Sequence, residues 1–150
     1  MPPVWFIHDL ADVIADDGYS LVDMLAPSGD QPPLHLHRDA DEGFLVLEGE
    51  VSVWAGDRHV VLRPGEFASA PKGVPHTYRV TSEERARIIV TSSTDEFARF
   101  VQAYGEPAPR RELPPAAPPD VERLGRLAAE HGIELLGPPG MLPADLAAVS

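Results

Sequence analysis

The chain has 150 residues, 43% of them hydrophobic and 24% charged, which suits one compact domain with a single core. Its formal charge is −12 and Lys72 is its only lysine, which argues against nucleic acid and anionic membranes as partners, because both select a basic surface. It has no cysteine, so disulfides and thiolate metal sites are excluded, and a transition metal would have to be held by imidazole and carboxylate.

Residues 4–16 (VWFIHDLADVIAD) fit an opening strand or a short helix, and periodicity does not separate the two. The segment has neither a basic start nor a small-residue cleavage site, so no signal peptide is expected, and a cytoplasmic location is the default expectation. No apolar run reaches membrane-spanning length. Asp16-Asp17-Gly18 signals a turn, YSLVDMLA (19–26) a strand, and PSGDQPP (27–33) a loop. LHLH (34–37) is the next strand, followed by a turn at RDADE. GFLVLEG (43–49) and EVSVWAG (50–56) read as strands meeting near Gly49. Gly56-Asp57 between EVSVWA and RHVVLR marks a hairpin. PGEFASAP (64–71), KGVPHTYRV (72–80) and RARIIVTSS (85–93) supply further turns and strands. Eight to ten short strands between turn clusters predict an all-β sandwich, jelly roll or barrel at residues 1–93.

Beyond residue 93 the pattern changes. Ser93 and Glu96 have capping-box spacing, and Phe97, Phe100, Val101 and Tyr104 fall at helical spacing before Gly105. This predicts a helix over 94–104, its stripe given to packing on the barrel. Residues 105–120 are proline-rich and read as an extended strap. Asp120 is placed to cap a second helix, VERLGRLAAEH, with Val121, Leu124, Leu127 and Ala128 on one face and Gly132 at its end. IELLGPPGMLP follows as an apolar, proline-broken tail. Residues 94–150 therefore form an extension packed on the barrel or on a partner subunit.

The chemistry concentrates in two stretches. His35 and His37 sit two apart on a strand, so both rings leave the same face, about 7 Å apart along it. Glu42 lies five residues on, where an adjoining strand would return it to the same ion. Two histidines and a carboxylate with open positions suit Fe(II) and related divalent metals. Gly65, Pro71, Gly73 and His76 follow G-x5-P-x-G-x2-H, a tight turn able to deliver His76 as a fourth ligand. Imidazole and carboxylate together suit Fe, Mn, Ni, Co or Zn, and the donor set does not choose among them. By strand parity Phe44 and Val46 share the face of Glu42, and Tyr78 and Val80 the face of His76, which makes these four candidate pocket residues.

The remaining polar residues draw simpler readings. His8 has no assigned role, His59 follows a hairpin turn, and His131 sits near a helix end, where a cation is favoured. Asp39 and Asp41 are read as solvated turn residues, Arg110 and Arg111 as solvent-facing, and Trp5 and Trp54 as packing.

HLHRDADEGFLVLEG resembles the first motif of the cupin superfamily: His35, His37, Glu42 and Gly49 fit H-x-H-x4-E-x6-G. GEFASAPKGVPH resembles the second. Only fifteen residues separate Gly49 from Gly65, similar to small bacterial cupins. Val80 stands where the family's second motif often ends in asparagine, a residue that is not a metal ligand. Among monocupins the chain is most similar to the flavonol (quercetin) dioxygenase-like group, through the short spacer, PKGVPHTY and the tail LPPAAPPDVERLGRLAAEHGIELLGPP.

The resemblance implies a conical double-stranded β-barrel, a homodimer, and one divalent metal inside the wider mouth. It also implies a dioxygenase acting on a phenolic or enolic small molecule, with Glu42 both ligating the metal and accepting the substrate proton. Cupin scaffolds host many chemistries. A metal-assisted isomerase, lyase or cyclase, and a non-catalytic small-molecule-binding barrel, stand as the alternatives.

Overall fold

A computed structural model describes residues 2–147. Ten strands come first: β1 (Val4–Phe6), β2 (Asp9–Ala15), β3 (Ser20–Ala26), β4 (Leu34–His37), β5 (Glu42–Glu48), β6 (Val51–Ala55), β7 (Arg58–Leu62), β8 (Phe67–Ala70), β9 (His76–Val80) and β10 (Ala86–Ser92). Then follow α1 (Glu96–Tyr104), β11 (Glu106–Pro107), α2 (Val121–Glu130), β12 (Ile133–Gly137) and α3 (Pro143–Ala147). The ambiguous opening segment is two strands, a β1–β2 hairpin turning at Ile7 and His8.

Two antiparallel sheets face each other as a jelly roll. One runs β11-β1-β2-β3-β10-β5-β8 and the other β12-β4-β9-β6-β7. Burial alternates strictly along β3 and β10, as expected when one face of a sheet meets the core and the other meets water. Val22, Phe44, Val46, Val53, Val80 and Ile88 fill the space between the sheets, each at most 2% exposed.

Gly49 carries the chain from β5 in one sheet to β6 in the other. Its φ is +83°, and a Cβ there would lie 2.8 Å from Ser82 Oγ and 2.9 Å from the Ala86 Cα. Both backbone handedness and space therefore require glycine.

The extension departs from expectation in four places. Ser93 does not cap α1: its Oγ accepts from the Asp41 N–H at 2.8 Å, and Thr94 Oγ1 accepts from Glu96 N–H instead. Tying down the loop after β4 takes the serine that a capping box would use. Gly105 ends α1 in extended backbone (φ −67°), not in the left-handed form. Glycine is needed there because a Cβ would sit 2.7 Å from Val101 O. Asp120 does cap α2 through Arg123 N–H, but Val121 is 70% exposed, leaving Leu124 and Ala128 as the buried face. The proline-broken tail forms β12, which pairs along the histidine strand with Ile133 opposite His37 and Leu135 opposite His35.

Replacing Gly49 by alanine combines a left-handed backbone penalty with a contact against Ala86. Gly49→Ala is expected to cost about 2–4 kcal/mol, measured as a fall in the urea midpoint at unchanged m-value.

Candidate metal centre

His35 and His37 leave β4 on one face, and His76 opens β9, the neighbouring strand, directly opposite His35 in register. Glu42 opens β5, which belongs to the other sheet. This corrects the expectation that Glu42 returns on an adjoining strand: the carboxylate comes across the barrel, and the four side chains meet between the sheets. Two hydrogen bonds from backbone N–H groups hold the loops that make this meeting possible. Gly73 N–H donates to His37 O at 2.8 Å, and Lys72 N–H donates to Asp41 Oδ1 at 2.9 Å. Asp41 is exposed but is not a free turn residue, since it pins the first motif to the second.

One donor atom from each of His35, His37, Glu42 and His76 lies within 4.8 Å of all the others, so the group could hold one metal ion. Glu42 Oε2 stands 2.7 Å from His37 Nε2 and 2.9 Å from His76 Nε2. His35 Nδ1–H donates to Pro33 O (2.7 Å) and His76 Nδ1–H to Val74 O (2.9 Å). A carbonyl can only accept, so these bonds place the proton on Nδ1 and turn the Nε2 lone pairs inward. In the neutral rings, His76 Nε2 and Glu42 Oε2 are then two acceptors at 2.9 Å, a contact that needs a cation or a proton between them. His37 Nε2 is buried and makes no hydrogen bond of good geometry, despite its 2.7 Å approach to Glu42. An orphaned nitrogen, inward lone pairs and a buried carboxylate fit a divalent metal with N and O preference.

The electrostatics agree. Burial first, then repulsion from His76 and His37, lowers His35 to about 3. It is a neutral donor at any ordinary pH. Burial alone would depress His37, but the Glu42 carboxylate outweighs it and holds the ring above its usual value. Burial likewise opposes ionisation of Glu42, and His37 and His76 overcome it, leaving the carboxyl well below the usual range.

Above the centre lies a narrow cavity of about 60 Å³, lined in part by His35, His37, Glu42, Phe44 and Tyr78. Val46 and Val80, expected beside them, are buried but do not line it. Two residues further along their strands, they lie deeper in the core. Other walls come from outside the two motifs: Phe6 and Ile7 from the first hairpin, Phe97 and Phe100 from α1, and Leu124, Ile133 and Leu135 from the C-terminal segment. Phe6 meets Phe97 and Phe100 edge-on (centroids 6.3 and 5.4 Å), and Phe97 meets His37 at 6.1 Å. The α1 stripe therefore packs and also walls the site. Only the helical spacing of Phe97 and Phe100 signalled them, and that spacing reads as core.

The other histidines have local roles. His59 stacks on Trp54, His131 Nδ1–H donates to Leu127 O, and His8 bridges Asp30 and Ala117 O. Arg111 pairs with Asp12 at 2.6 Å, so it is not simply solvent-facing.

Residues 21–92 match the family profile of the cupin domain. These residues are a cupin domain. Over 138 residues the chain is 34% identical to the quercetin 2,3-dioxygenase of Bacillus subtilis, an alignment covering 87% of this chain and 41% of that protein. The chain thus spans less than half the length of that dioxygenase. Among solved structures it is similar to TT1209 of Thermus thermophilus, with a TM-score of 0.53 and 28% identity over 57% of this chain and 82% of the other. It also matches the cupin domain of Cnp3 from Schizosaccharomyces pombe, with a TM-score of 0.54 over 65% and 73% of the two chains. At 15% identity that likeness is one of fold.

His37 sets a pH test. Its ordinary value is 6.5 and it is raised in the folded, metal-free protein, so its contribution to stability is full below about pH 6.5 and is lost as pH rises through the raised value. A metal competes with that same proton. The rise in melting temperature on adding Mn2+ or Co2+ to chelator-treated protein is therefore expected to grow from pH 6 to pH 8. Scanning calorimetry in paired buffers measures it.

Proposed function

We propose that His35, His37, Glu42 and His76 hold one divalent transition metal, with Fe, Mn, Ni or Co ahead of Zn or Cu. We further propose that the chain is a quercetinase-like dioxygenase acting on a phenolic or enolic small molecule. The observation carrying this reading is a buried carboxylate with inward-turned imidazole lone pairs at the floor of a largely aromatic and aliphatic cavity. The likeness to the Bacillus subtilis quercetin 2,3-dioxygenase supports the substrate class. A metal bound there supplies Lewis acidity toward an enol oxygen and the redox partner for O2.

The protein's own residues do the rest. His35 and His76 keep their Nε2 lone pairs aimed inward through the Pro33 and Val74 carbonyls. Glu42 is the carboxylate placed to accept the hydroxyl proton of the substrate, its basicity set by burial and by the metal beside it. Phe44, Phe97 and Phe100 offer faces and edges to a flat ring and exclude water from the floor.

Elemental analysis and oxygen uptake test the proposal together. Purified protein is expected to carry near-stoichiometric metal and to consume O2 with a flavonol. His37→Ala is expected to fold, with metal content lowered at least tenfold. Full metal in that variant would overturn the ligand set. Metal without O2 uptake across the panel would overturn the oxygenase reading and leave a lyase, isomerase or binding barrel.

A further inference from the structure

A second, outer chamber of about 530 Å³ adjoins the metal pocket and shares walls with it, among them Phe6, Ile7, Pro33, Tyr78, Leu124 and Leu135. Its remaining wall is mostly apolar and comes from the strap and tail, including Pro119, Val121 and Leu136. The exposed Val121 finds its place here, as part of the chamber wall. The polar exceptions are Gln31 and one cluster of ionisable groups. Asp9 is 3% exposed, at the start of β2, and the Asp30 side chain is 7% exposed. Burial, together with the neighbouring Asp30 carboxyl, raises Asp9 well above the usual carboxylate range. His8 Nδ1 stands 3.3 Å from Asp30 Oδ1 on the other side.

Three features set this cluster apart from an ordinary buried pair. Asp9 Oδ1 has no hydrogen-bond partner although it is fully buried, a condition that costs about 1–3 kcal/mol and calls for a donor. Both carboxyls line the chamber, as does Tyr78, which also lines the metal pocket. The hairpin that delivers His8 and Asp9 turns through Ile7 at φ +58°, a conformation β-branched residues avoid and that persists where the surroundings impose it.

We propose that the Asp9–Asp30 pair is the distal recognition site for the molecule whose enol group reaches Glu42, accepting hydrogen bonds from hydroxyls at its outer end. The ligand class is then a flat, mostly apolar molecule that is hydroxylated at its periphery as well as at the reacting centre. The unpartnered, buried Asp9 Oδ1 beside the chamber calls for a hydrogen-bond donor, which a ligand hydroxyl supplies. The inference rests on the flavonol reading of the metal pocket and extends it to the part of the ligand that lies outside it.

The test uses the metal-loaded full chain without oxygen, titrated with quercetin and with 3-hydroxyflavone. The two share the 3-hydroxy-4-oxo group, and only quercetin carries ring hydroxyls. The wild-type protein is expected to bind quercetin about tenfold more tightly, the worth of one or two such bonds. Asp9→Leu, close in size, is expected to bring the two affinities within about twofold. Asp9→Asn donates to Asp30 and keeps its oxygen free, so it retains most of the preference. Comparing the two ligands within each variant cancels any general loss of folded protein. Equal binding of both by wild type, or a preference that survives Asp9→Leu, overturns the subsite and leaves the metal-pocket reading intact. If the metal-loaded protein binds neither flavonol, the flavonol reading fails, and the subsite with it.

Discussion

A carboxylate buried between two sheets, within 3 Å of two imidazole nitrogens, is the constraint around which this barrel is arranged. Such a group is costly in a low-dielectric interior unless it is matched by positive charge. Glu42 comes from one sheet and the histidines from the other, so the matching charge also bridges the two halves of the fold. The loops reflect this. Asp41, Lys72, Gly73 and Ser93 spend their backbone and side-chain bonds on fixing where β4, β5 and β9 begin and end. A shift of one residue in any of those strands would turn a ligand to the outer face.

The floor and the walls of the pocket come from different parts of the chain. The floor is built by residues 35–76, where spacing dictates chemistry. Much of the wall comes from the first hairpin, from α1 and from the segment 119–139, with Met24, Pro32, Pro33, Tyr78 and Val90 contributed by the barrel. The extension is tied on by specific contacts as well as by packing: Arg123 donates to the carbonyls of Ala103 and Tyr104 at the end of α1, where a cation is favoured, and stacks over the Tyr104 ring. β12 then adds a strand beside β4, so the tail backs the histidine strand and shapes the outer chamber. Under the proposed function, this division separates metal binding from ligand choice.

Strand count, hairpins, both main helices and the four-residue donor set were legible from turn signals, alternation and spacing, because those are local properties. The misreadings share one cause. Local spacing alone makes Ser93 a cap, puts Val121 on the apolar face of its helix and leaves the tail irregular, because each has a local partner that fits. In the fold, each is claimed by something distant: Ser93 by Asp41, Val121 by the chamber wall, and Ile133–Gly137 by the open edge of β4. Phe97 and Phe100 were assigned to packing on good grounds, since a helical stripe says that a face is buried but not that a cavity lies beneath it.

The amino-acid sequence by itself determined the residue types at the centre, their spacing on strands, and therefore the class of ion they suit, since period-two alternation and glycine turns act over a few residues. Only the tertiary structure decided that Glu42 reaches the histidines from the opposite sheet, that Asp9 and Asp30 meet beside a second chamber, and that the chain's two ends wall the pocket. Those juxtapositions depend on how the sheets stack and how the extension docks, and no local pattern encodes a contact between residues that far apart in the chain.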